Sequence, residues 1–125
     1  MRTGKVKIKG EEYLTCFSTR VLIDIEDKYG DSTEGLQGIM ERAKVSELFW
    51  LMARLIDAGN RYAEMEGIEN PGILSEDKLI DSVGVDEYAA IFKGVADTVA
   101  AGDKPTIQTK PTEESKNENA TSQAG

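Results

Sequence analysis

The segment Lys5-Val6-Lys7-Ile8-Lys9 alternates with a period of two, its lysines on one side and Val6 and Ile8 on the other, which is the pattern of a strand covered on one face. Gly10-Glu11 supplies a turn. Tyr13-Leu14-Thr15-Cys16-Phe17 is again rich in strand formers, so the two runs predict a β-hairpin. Lysines along its open side suit an edge strand, where charge discourages pairing with other chains; an electrostatic handle for an acidic partner is the functional alternative. An isolated hairpin is marginal in water, so it must pack on something.

After Cys16 the apolar period changes to that of a helix. Ser18 is placed to cap a helix over Thr19–Tyr29, and Gly30 sits where a left-handed C-terminal residue belongs. Val21, Leu22, Ile25 and Tyr29 form its apolar stripe. Thr33 can cap a second helix reaching Lys44, with Leu36, Ile39, Met40 and Ala43 as the buried side. The third and strongest run is 46–66, with Ser46 as cap and Glu47 complementing the helix dipole. Leu48, Leu51, Met52, Leu55 and Tyr62 mark one face, and Phe49, Ala53, Ile56 and Ala63 an adjacent one. An apolar arc this broad marks the central helix of a bundle. Gly59 within it predicts a bend or a close helix contact.

Asn70-Pro71-Gly72 reads as a turn. Ser75 then opens a short helix bearing Leu79, Ile80 and Val83. Gly84 interrupts. Asp86 caps a last helix over Glu87–Ala101, with Tyr88, Ile91, Phe92, Val95 and Val99 apolar, and Gly102 closes it. The expected class is mainly α with a short N-terminal β-hairpin (α+β), a small bundle of four to five helices spanning residues 1–102. Residues 103–125 hold Ile107 as their only large apolar side chain. They cannot bury enough surface to offset the entropy of ordering and are expected to form a disordered polar tail.

Composition narrows the chemistry. The 125 residues carry a net charge of −8, no His and one Cys. The charge is uneven: residues 1–10 hold +4, residues 11–102 hold −11 and residues 103–125 hold −1. An acidic helical body argues against nucleic acid, which needs clustered cations, and against a membrane-surface helix, which needs a basic face. No apolar run approaches the ~20 residues of a membrane span, and the basic N-terminal residues have no apolar stretch behind them to make a secretory signal. A single Cys without a disulfide partner fits a reducing cytoplasm. Without His, Cys16 lacks the usual base of a thiol nucleophile and reads as a buried thiol. Zinc would want more Cys and His, and the run Asp24–Gly30 lacks the order of a calcium loop, so no metal or other cofactor is expected. The acids Asp24, Glu26 and Asp27, like Glu76, Asp77 and Asp81, read as solvated helix faces rather than an acid–base pair. No catalytic residues are expected.

What remains is protein recognition. Phe49 and Trp50 are ~100° apart on a helix. If one enters the core, the other lies near the surface as an anchor for a partner; burial of both between neighbouring elements is the competing reading. Phe49 and Trp50 are the partner-binding candidates. An exposed apolar stripe on 46–66 would serve a homo-oligomer seam or a client groove.

Three segments carry a resemblance: Leu14-Thr-Cys-Phe-Ser-Thr-Arg-Val through Asp27-Lys-Tyr-Gly30, then Glu47-Leu-Phe-Trp-Leu-Met-Ala-Arg-Leu-Ile-Asp-Ala-Gly-Asn-Arg-Tyr62, then Gly84-Val-Asp-Glu-Tyr88 with the helix that follows it. In this order, over residues 12–102, the chain resembles the small tail assembly chaperones of long-tailed bacteriophages and Gram-positive prophages. The resemblance implies a non-enzymatic protein of the host bacterial cytoplasm. It would bind the tape measure protein and tail tube subunits during tail morphogenesis and be absent from the mature virion. The family has no invariant site to carry over to named positions. A head–tail joining or tail completion subunit, or a small regulatory protein binding a host factor, are the alternatives.

Overall fold

In the computed structural model, which describes residues 3–103, Thr3–Ile8 (β1) and Glu11–Cys16 (β2) pair antiparallel with Lys5 opposite Leu14 and Ile8 opposite Glu11. The turn is Lys9-Gly10 rather than Gly10-Glu11. Both turn residues have positive φ, 53° and 80°, as the two-residue I′ loop that matches strand twist requires. Val6 and Ile8 are buried while Lys5 and Lys7 are exposed, as the alternation predicts. Lys5 Nζ lies 3.7 Å from Glu12 across the hairpin.

Among the described residues five α-helices follow: Thr19–Tyr29 (α1), Ser32–Arg42 (α2), Val45–Glu66 (α3), Glu76–Ser82 (α4) and Tyr88–Asp103 (α5). The mainly helical body with its N-terminal hairpin is the expected architecture. Residues 104–125, which include nearly all of the expected tail, lie outside the described residues. Among the described residues no helix is long and apolar enough to cross a membrane.

Several boundaries differ from the sequence reading, each for a local reason. Ser18 occupies the N-cap position of α1, but its hydroxyl makes no capping bond; its carbonyl receives the Val21 and Leu22 amides. Asp31, not Thr33, caps α2, its carboxylate accepting from the Glu34 amide at 2.8 Å. Ala43 then turns left-handed at φ 51° and Lys44 becomes the N-cap of α3, which places Ser46 inside the helix. Asp86 does not cap α5. A single 3-10 turn over Val85–Glu87 intervenes, and Gly102 lies within α5. Leu22 and Ile80, assigned to apolar stripes, are exposed.

The core gathers on α3. Leu48, Leu51, Met52, Leu55 and Ile56 have no accessible surface, and Val6, Val21, Ile25, Ile39, Leu79 and Val95 close over them from the other elements. β2 runs along α3, and β1 lies on α5. The contact at Gly59 is with a strand rather than a helix: a Cβ there would overlap the Leu14 carbonyl. The Leu14 amide donates to Asn70 Oδ1 at 2.9 Å, and Asn70 in turn donates to Asn60 Oδ1 on α3. At Leu14 the outer edge of β2 is thereby engaged by a side chain of the same chain. Between β2 and α5, Thr15 and Thr98 are both buried and join hydroxyl to hydroxyl at 2.7 Å.

Candidate functional site

The first turn of α3 sets one wall of an apolar groove. Because the α2–α3 link is only Ala43 and Lys44, Val45 begins the helix at the surface and is 56% exposed. One turn on, Phe49 points inward, is only 5% exposed, and stacks nearly parallel on Tyr88 with ring centres 6.4 Å apart. The Tyr88 hydroxyl donates to the Ala43 carbonyl at 3.2 Å, so the start of α5 is tied to the link that precedes α3.

The opposite wall comes from the end of α4. Val83 and Gly84 are extended, and the chain then tightens into the 3-10 turn. Glu87 closes that turn by accepting the Gly84 amide on its carboxylate at 2.8 Å. A turn closed on its polar side pushes Val85 outward to 96% exposure. Ile80, on α4, is 45% exposed. Val45, Phe49, Ile80, Val83, Val85 and Tyr88 bound a cleft of about 530 Å³. Apolar side chains scattered singly on a surface are ordinary, but several converging on one cleft mark an interaction site.

The lip at Gly84 is acidic. A Cβ built there would stand 2.6 Å from Asp86 Oδ1 and 3.6 Å from Glu87 Oε1, so both carboxylates lie beside Gly84. Asp81 beside Ile80 is also exposed.

Trp50 serves a different surface. It is half-buried, meets Tyr29 edge-on at 5.9 Å and 76°, and carries Lys28 Nζ 5.2 Å from its ring centre. Asp24, Asp27, Lys28 and Arg54 share its shallow depression. Nearby, Arg42 grips Glu47 through two nitrogens at 2.9 and 2.8 Å, and the Tyr29 hydroxyl donates to the same carboxylate at 3.0 Å. The Arg42 bonds hold the Glu47 carboxyl below its ordinary range against the opposing effect of burial. Burial, then the hydrogen bond to Glu47, raises the Tyr29 hydroxyl. The network ties α1, α2 and α3 together.

Of the two residues singled out from the sequence, Phe49 forms part of the groove and Trp50 does not. Val45, Ile80, Val83, Val85 and Tyr88 were missed as a site. The available signal was Val85, an isolated apolar residue between Gly84 and Asp86 where a loop would be polar. Cys16 is fully buried, and burial pushes its thiol pKa up, away from the thiolate. No family model matches the chain, and comparison with curated proteins and with solved structures gives no match either.

Proposed function

We propose that this chain is a phage or prophage tail assembly chaperone, a binding protein that shields apolar surface of another polypeptide without making or breaking a bond. Its clients in this reading are the tape measure protein and the tail tube subunits, and it leaves before the particle is complete. The observation that carries the reading is the apolar groove with Val85 standing almost wholly in solvent at its lip. Two of the three segments of family resemblance meet there: 47–62 contributes Phe49, and 84–88 contributes Val85 and Tyr88. Fully burying an aliphatic side chain of this size contributes about 1.5–3 kcal/mol. A few such contacts, set against the cost of association, give binding that can be reversed.

Co-expression with the tape measure protein that this reading makes its client tests the proposal. The expected result is a larger soluble fraction of that protein and a stable complex on pull-down. No effect on its solubility together with no binding overturns the proposal, as does finding the chain at stoichiometric level in purified virions.

A further inference from the structure

We propose that the groove receives a short amphipathic helix of another protein whose apolar face is flanked by lysine or arginine. This rests on the protein-binding reading above and adds the chemistry of the ligand. The helical form follows from the walls. They are the first turn of α3, the end of α4, one 3-10 turn and the first turn of α5, with no strand edge among them. On β2 the Leu14 amide already meets Asn70 and the Leu14 carbonyl lies against α3 at Gly59. An extended peptide would leave its own amides and carbonyls unpaired in this cleft, whereas a helix satisfies them internally and offers apolar side chains at i, i+3, i+4 and i+7.

The flanking charge follows from the rim. Glu76, Asp77, Asp81, Asp86 and Glu87 lie on or beside the α4 wall, against two cations, Lys78 and the Lys44 of the opposite wall. None of the five acids is in an ion pair among the described residues, whereas Glu47 on the α3 side is already matched by Arg42. Asp86 and Glu87 converge on Gly84 at the lip itself. A cation brought to that lip meets acidic side chains that have no ion-pair partner among the described residues, while the apolar face is buried beside it.

The test is fluorescence anisotropy on the full chain with two labelled peptides of about 18 residues, five helical turns. They share one leucine face and differ only in Lys or Glu flanks. Val85→Asp and the double variant Asp81→Lys/Asp86→Lys alter exposed positions, and circular dichroism melts confirm that they fold. The Lys-flanked peptide should bind about tenfold more tightly than its Glu-flanked twin, and added salt should narrow the gap. Val85→Asp should weaken both by about tenfold, because it sets a carboxylate where the peptide's apolar face would be buried. The double variant should reverse the preference. Equal affinity for the two peptides, indifference to Val85→Asp, or no binding of the Lys-flanked peptide overturns the inference. So does a dimer in sedimentation that Val85→Asp dissociates, since a second copy of this chain is then the occupant. A Val85→Asp chain that still rescues the tape measure protein removes this inference and leaves the chaperone reading standing. Peptide selectivity without any rescue does the reverse.

Discussion

Gly59 in the middle of α3 gives a prediction whose sign depends on tertiary structure. In an open helix, Gly→Ala stabilises by about 1 kcal/mol because alanine loses less backbone entropy. In this fold the added methyl would overlap the Leu14 carbonyl and stand 2.8 Å from Thr15 Cα, and both obstacles are backbone that no rotamer change can clear. Ordinary carbon contacts need about 3.5–4 Å, so β2 must withdraw from α3 by on the order of 1 Å. That movement strains the Leu14 amide bond to Asn70, 2.9 Å long, and the buried Thr15–Thr98 bond, 2.7 Å long. Each is worth about 1 kcal/mol, and forced overpacking costs about 1–3 kcal/mol more. Set against the propensity gain, Gly59→Ala should lose about 2–4 kcal/mol. For a domain of this size that corresponds to a fall in Tm of at least about 10 °C. Gly38→Ala in α2 is the control: its methyl meets only the Arg42 guanidinium, the far end of a flexible side chain, at 2.7 Å. Its propensity gain is set against a shift of the Arg42 side chain that holds Glu47, so it should cost far less than Gly59→Ala. Urea denaturation read by the single Trp50, with thermal melts alongside, measures both. A Gly59→Ala protein as stable as Gly38→Ala would refute the close-approach argument.

Two further outcomes follow from polar contacts. Thr15→Val or Thr98→Val alone leaves one buried hydroxyl without its partner and should cost about 1–3 kcal/mol, whereas the double substitution should cost little more than either; strict additivity in a double-mutant cycle would show that the two hydroxyls do not depend on each other. Glu47 is held below its ordinary carboxyl range chiefly by Arg42, so its contribution is present above the unfolded value of about 4.3 and is lost as pH falls through the lower folded value. Urea midpoints should therefore separate wild type from Glu47→Gln at pH 7 and converge below about pH 4, and a gap that stays constant to pH 3 would contradict that linkage.

The elements were readable where one residue's neighbours along the chain decide its environment, and the groove was hidden because two distant stretches, 45–49 and 80–88, decide it together. Period two placed Val6 and Ile8 inside, and period 3.6 identified α3 as the central helix, because each repeat reports a single buried face. Competing caps were harder. Asp31 and Thr33 both offer a capping side chain near the start of α2, but Asp31 reaches the Glu34 amide while Thr33 lies inside the first turn, a choice that depends on where the chain leaves Gly30. Phe49 and Trp50 are set apart by their angle on the helix, but the angle says nothing of what lies opposite each. Tyr29, Lys28 and Arg54 surround Trp50, which gives the tryptophan neighbours within its own chain. The short α4 instead turns away at Val83 and leaves a cleft beside Phe49. The misassigned Asp86 and the missed groove share one cause. Read as an N-cap, Asp86 makes Gly84-Val85 a passive linker. Once Glu87 closes a 3-10 turn on the Gly84 amide instead, Val85 is forced outward and Asp86 is carried to the lip. The same local exchange of one carboxylate for another thus creates the apolar projection and the acidic rim beside it.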